Sequence, residues 1–178
     1  MSSSPDATRG RGETTPAAGR ALSPSARKVQ DALIAAGVAS VITEYDVPAR
    51  TSAQAAEVLG CTVAQIVKSL VFRAASGRAV LVLASGINRV DEAKVAALVG
   101  EPVGKADGKF VREATGYAIG GIPPLGHAQR LAPLIDADLL AFDVVHAAGG
   151  TPNAMFPVSP AELVTASGGQ VADVRASA

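Results

Sequence analysis

Few residues in this chain could carry chemistry, and their scarcity narrows the field. There are two histidines, His127 and His146, and one cysteine, Cys61. That is too few for an ordinary structural zinc site, and no carboxylate–histidine spacing suggests a catalytic metal, so no metal is expected. No serine sits in a nucleophile elbow. No G-x-G-x-x-G run is present, which argues against a dinucleotide, and no other cofactor is expected. The segment "GEPVGKA" resembles a phosphate loop only superficially. Its glycines are one residue too close, and Ala106 stands where Ser or Thr would hold magnesium. No aromatic residues punctuate a basic strand, as a generic single-strand binder would require. What remains is chemistry by positioned main-chain groups, helped by a few polar side chains.

Lys68 is the first candidate. In "QIVKSLVFRA" a two-residue period puts Ile66, Lys68, Leu70 and Phe72 on one face and Val67, Ser69 and Val71 on the other. An ammonium on an apolar face is costly unless it reaches water, an anion or a carboxylate. Either its head escapes at the sheet rim, or it forms the floor of a cleft that takes a phosphate or ligand carboxylate. The second candidate is "YAIGGIPPLGHA", residues 117–128, whose first three residues read as strand. Gly120 and Gly121 let successive amides point one way and let a ligand come close. Pro123 and Pro124 stiffen the exit. The plain alternative is a decorated connection.

A second glycine pair, Gly149 and Gly150, follows a strand in "AAGGTPN" with Asn153 nearby. Two such loops could wall one pocket. His127 reads as a hydrogen-bonding loop residue before a base, and His146 as structural. Asp136, in an apolar segment, wants a partner. Lys68 is the natural one, unless Asp136 caps the following turn. Cys61 reads as a small buried filler.

These residues need a scaffold, and its elements are legible. Ser23 caps and Pro24 opens a helix that Gly37 ends. "SVITEYDV", 40–47, alternates as a strand. Thr51 with Gln54, then Thr62 with Gln65, form capping boxes. "IVKSLVFRA" is a central strand, turned by "SGR" into an antiparallel partner "AVLVLAS". Helices follow at "RVDEAKVAALVG", capped by Asp91, and at "DGKFVREATG". After the glycine–proline loop come "LIDADLLAF", "DVVHAAGG", "NAMFPV", the helix "SPAELVTASG" and a last strand "QVADV". Strands outnumber helices, with both hairpins and helical connections. The class is α+β, a mixed, curved sheet with helices packed outside.

Residues 1–22 lack apolar periodicity and read as a disordered tail, basic through Arg9, Arg11 and Arg20; residues 23–178 form a single domain. The 178 residues can bury a real core, 48% of them apolar with no Trp. Sixteen basic residues balance sixteen acidic ones, so any nucleic-acid contact must be local. A lone cysteine and the lack of an apolar run of bilayer length point to a cytoplasmic protein with no membrane partner.

"QIVKSLVF", "NRVDEAKVAALVG", "ATGYAIGGIPPLGH", "LID" and "AAGGTPNAMFPVSPAELV" occur in the order found in the YbaK/ProX family. These are aminoacyl-tRNA deacylases related to the editing domain of bacterial prolyl-tRNA synthetases. The chain resembles them over roughly residues 25–175. The resemblance implies a single domain of that fold acting as a trans-editing hydrolase. Its substrate would be mischarged aminoacyl-tRNA, with proline tRNA bearing a small non-cognate amino acid the first suspect. Lys68 would hold the tRNA 3′ end. Gly120 and Pro124 match the Gly-x-x-x-Pro loop facing the aminoacyl ester, Asp136 the "ID" aspartate, and Gly149 and Gly150 the second glycine pair. Taken together with the loop readings above, the candidate roster is Lys68, Gly120 and Gly121 as catalytic. Pro124, His127, Asp136, Gly149, Gly150 and Asn153 would be substrate-binding.

Ala148 departs from the serine of cysteine-editing members and the histidine of alanine-editing ones. The implied partners are the aminoacyl-tRNA 3′ end and prolyl-tRNA synthetase, with no DNA. Two other readings stay open: a non-catalytic RNA- or nucleotide-binding module on the same fold, and a regulatory protein working through its basic tail.

Overall fold

The computed structural model describes residues 21–178. The expected tail therefore lies outside the described residues except for Ala21 and Leu22, and Leu22 already packs against the main core. Helix α1, Pro24–Ala35, is capped by the Ser23 hydroxyl and buries Ala26, Val29 and Leu33. The expected strand 40–47 is much shorter: β1 is Thr43–Glu44. The reason is local competition. Gln30 of α1 donates to the Ser40 carbonyl and accepts from Ile42 N–H, taking main-chain groups that a longer ladder would use.

Helix α2, Ser52–Leu59, is capped by Thr51 and stopped by left-handed Gly60. Gln54 closes no box with Thr51; its amide oxygen accepts from Arg50 N–H instead, at 2.9 Å. One short 3₁₀ turn, Val63–Gln65, leads into β2, Val67–Ala74, which forms a hairpin with β3, Ala79–Ser85. Then come α3, Glu92–Val99, capped by Asp91; β4, Val103–Lys105; and α4, Gly108–Thr115. The phosphate-loop look-alike is thus an edge strand. Residues 117–119 add no strand, because Tyr117 N–H turns back onto the Thr115 hydroxyl. After the glycine–proline loop follow β5, Leu134–Asp136; β6, Val145–Ala148; β7, Ala154–Val158; α5, Pro160–Ser167, with a Ser159–Glu162 capping box; and β8, Gln170–Ala172.

The strands form two sheets. One has the order β4-β2-β3-β5-β8, with β2 antiparallel to β3 and β4, and β5 parallel to β3 and β8. The other is antiparallel, β1-β7-β6. A lone parallel bridge, Ile66 to His146, joins them. The class is α+β, as the sequence implies.

The two-residue period of β2 holds. Val67 and Val71 face a core built with Leu81, Leu83, Ile135, Phe156 and α1, while Phe72 faces a second core with Val82, Leu134 and Val95 of α3. Burial on both faces explains why β2 and β3 read as near-continuous apolar runs. A third, smaller cluster, Ala55, Ala56, Ile66 and Met155, fills the corner between α2 and the second sheet.

Candidate active site

The site begins as a gap in strand pairing. On its outer side β2 meets β6 only at the Ile66–His146 bridge, and β4 joins only from Phe72 onward. β6 runs beside the first residues of β2 without a further ladder pair, β4 has not yet joined, and a cavity of about 330 Å³ opens between them. Its walls come from β2 (Lys68, Ser69, Leu70), the start of α2 (Arg50, Thr51, Ser52), the glycine–proline loop (Ile119, Gly120, Ile122) and the β6–β7 loop (Ala148, Thr151, Pro152). Ala55, Ile66, Ala154 and Met155 make the rest of the lining apolar.

Lys68 is half-buried in this wall and forms no ion pair among the described residues. Burial lowers its pKa from the usual lysine value, and the negative charge of Asp136 partly opposes that. The expected Lys68–Asp136 pair does not form. Lys68 lies opposite Ala84, and continuing the β3–β5 register places Asp136 beside Ala84, so the two charges share a row two strands apart. At ordinary strand spacing that is about 10 Å. The Asp136 carboxylate, fully buried, instead accepts from Ser85 N–H (3.0 Å), Asn88 Nδ2 (2.8 Å) and Asp138 N–H (3.0 Å). It caps the 3₁₀ turn Ala137–Ala141, the alternative reading of this residue. Its charge tempers the desolvation of Lys68 from a distance.

The glycine–proline loop is closed on itself. Ala128 and Gln129 N–H donate to the Thr115 and Ala114 carbonyls, and the Tyr117 hydroxyl donates to Gly126 C=O at 2.9 Å. The His127 ring bonds the Pro123 carbonyl at 2.6 Å and is not part of the cavity lining; burial lowers its pKa. Pro124 is buried behind the lining. Of the glycine pair only Gly120 reaches the cavity, at φ +94°. A Cβ on Gly121 would stand 2.7 Å from Thr151 Cα, so this glycine lets the two loops touch main chain to main chain.

The second pair is also behind the wall. A Cβ on Gly149 would meet Ile42 at 3.0 Å, and one on Gly150 would meet the Ser25 carbonyl at 2.8 Å. Asn153 ties the β6–β7 loop to β1, exchanging hydrogen bonds with the main chain of Tyr45. Of the residues singled out from sequence, then, Lys68 and Gly120 meet at the cavity. Gly121, Pro124, His127, Gly149, Gly150 and Asn153 build the loops that enclose it, and Asp136 lies two strands away. Cys61 packs half-buried beside the third cluster.

Sequence reasoning missed Arg50, Ser52, Ser69, Ile119 and Thr151. Arg50 to Ser52 carry only a helix-cap signal, and the two-residue period puts Ser69 on the strand face opposite Lys68. The cavity reaches both because it opens at the strand's edge. Among the described residues Arg50 and Lys68 are its cations, and no carboxylate lines it. Such a cleft suits an anionic ligand with a small apolar portion.

A mixed sheet whose central strand is left open beside two interlocked glycine loops defines a class of small α+β domain, and comparison places the chain within it. Residues 46–166 match the model of the aminoacyl-tRNA editing domain. A Bacillus subtilis (strain 168) protein named YwhH, uncharacterised, is 33% identical over 122 residues, covering 68% of this chain and 78% of its own. Among solved structures, that of a candidate trans-editing enzyme for prolyl tRNA synthetase is 48% identical with a TM-score of 0.84, covering 88% of this chain and all of the other. The hypothetical protein APE2540 is 36% identical with a TM-score of 0.78, covering 84% and 99%. The chain belongs to the aminoacyl-tRNA editing domain family.

Proposed function

We propose that this protein is a trans-editing deacylase that hydrolyses the ester of mischarged aminoacyl-tRNA, with proline tRNA as its first substrate. The observation that carries this is the convergence of an unpaired Lys68 ammonium, the open edge of β2 and both glycine loops on one cavity without a carboxylate. The similarity to a candidate trans-editing enzyme for prolyl tRNA synthetase supports the choice of tRNA.

Lys68 and Arg50 hold the terminal phosphate of the tRNA 3′ end, and the apolar lining takes the amino-acid side chain. Water adds to the ester carbonyl, the oxyanion is stabilised by main-chain N–H groups at the rigid cavity wall, and collapse releases free amino acid and the tRNA 3′ hydroxyl. Removing one donor from such a hole typically costs a hundredfold to a thousandfold in rate. The proton passes through a ribose hydroxyl, phosphate or positioned water, so no protein triad is needed. Editing of this kind is needed because a synthetase separates side chains differing by one methylene by only about 1–3 kcal/mol.

The test is release of labelled amino acid, at catalytic stoichiometry, from proline tRNA charged with alanine, cysteine, serine, threonine or 2-aminobutyrate. Turnover on at least one, lost in Lys68→Ala with the fold intact, is the expected result. Stoichiometric binding without release would mean a non-catalytic RNA-binding module.

A further inference from the structure

The open edge of β2 has a chemistry of its own. Main-chain groups of successive strand residues alternate sides, and fixed points set the phase here. Ala74 N–H bonds the Arg78 carbonyl on the β3 side, Gly86 N–H bonds the Ile66 carbonyl on that same side, and Ala75 N–H bonds the Pro102 carbonyl on the β4 side. Even-numbered residues of β2 therefore aim N–H and C=O at β3, and odd-numbered ones aim them outward. Val67 lies next to the bridge to β6, and Arg73 pairs with Gly104 of β4. Between them Ser69 is paired with Leu83 on one side and, among the described residues, has no strand partner on the other, and it lines the cavity. Its hydroxyl is the one side-chain polar atom among the described residues that is buried without a hydrogen-bond partner. Polar groups left so cost about 1–3 kcal/mol each.

An aminoacyl ester is itself one residue of main chain, with a donor at the α-amino nitrogen and an acceptor at the carbonyl oxygen. In a hydrogen-bonded antiparallel pair, two facing residues exchange both bonds. No carboxylate of the described residues lines the cavity, so the acceptors it offers an α-ammonium are neutral. Resting on the deacylase reading, we propose that the aminoacyl group docks as a one-residue strand against Ser69. The Ser69 carbonyl accepts from the α-amino group, and the Ser69 N–H donates to the ester carbonyl that is to be attacked. This is strand addition reduced to a single residue. It orients the reacting carbonyl and places the amino-acid side chain on the same face as the Ser69 hydroxyl.

The probes are 3′-alanylamido-3′-deoxyadenosine, which cannot be hydrolysed at an ester, and its counterpart lacking the α-amino group. The full chain, labelled with nitrogen-15, is titrated with each. The amino compound is expected to bind at least tenfold more tightly and to shift the Ser69 amide resonance on saturation. Ser69→Ala keeps the amine preference, because the main chain carries it. Equal affinity for the two compounds, no binding of the amino compound, an unmoved Ser69 amide, or loss of the amine preference in Ser69→Ala would each overturn the proposal. Turnover separates it from the broader reading. If N-acetylated and free aminoacyl-tRNA are cleaved equally fast, the subsite falls and the deacylase stands. If the analogue binds as described but no tRNA is deacylated, the subsite stands and the deacylase falls.

Discussion

Lys68 is asked to stay charged in a place that resists charge. Burial pulls its pKa down from 10.5, and Asp136 restores only part of that. In the folded protein the ammonium is therefore lost at lower pH than an exposed lysine would lose it. Since phosphate binding needs the charged form, kcat/KM on aminoacyl-tRNA should fall on an alkaline limb that begins below the ordinary lysine range. Lys68→Arg, which cannot deprotonate in that range, should flatten the limb even if its plateau is lower. An unchanged limb would assign it to another group. Hydrogen bonds to charged groups contribute about 1.5–3 kcal/mol, so Lys68→Met should cost roughly 10- to 150-fold in kcat/KM, with little change in thermal midpoint.

At the scale of elements, what matters is how two loops lock against each other. Gly121 against Thr151, and Gly150 against Ser25 of α1, are main-chain contacts that admit no Cβ. Gly121→Ala should therefore destabilise the domain by about 1–3 kcal/mol, as overpacking does, and lower activity with it. Gly104 has a negative φ and open space where its Cβ would go, so Gly104→Ala should fall within about 0.5 kcal/mol of wild type. Denaturant midpoints measured side by side decide the contrast.

Stability should also depend on pH through the two histidines. Burial lowers the pKa of His127, and of His146, below 6.5 in the fold, so the unfolded chain binds protons first as pH falls. Stability from the neutral rings is complete above pH 6.5 and is lost as pH drops below it. His127→Gln should lessen that drop in thermal midpoint between pH 7 and 5, leaving the share due to His146.

Across the whole molecule, charge balance limits what the protein can grip. With no net charge on the chain and, among the described residues, only Arg50 and Lys68 as cations at the cavity, few phosphates can be neutralised. Single-strand contacts give a slope of about −0.7 per phosphate in log affinity against log salt. Two contacts would thus give about −1.4, and a measured slope steeper than about −4 would require a second basic surface. Residues 1–20 play no part in the proposed chemistry, so their removal should leave kcat/KM unchanged; a severalfold loss would return the basic tail to consideration.

Local instruction was legible in the sequence wherever one residue type settles one conformation. Ser23 and Asp91 cap the helices their positions announce. The apolar runs of β2 and β3 pair as a hairpin, and the motif order by itself resembles the editing family. Lys68 and Gly120 could be found in the same way, because an ammonium on an apolar strand and a glycine in a proline-stiffened loop are unusual in themselves. What pattern could not supply was pairing across distance. A Gln30 side chain shortens β1, the carboxylate of Asp136 goes to Ser85, Asn88 and Asp138, and most of the glycines fit loop to loop. The edge of β2 stays open at Ser69 because β6 and β4 meet that strand at different points. A residue's type shows what it can bond to, but only the packed chain decides which bonds are already taken and which are left for a substrate.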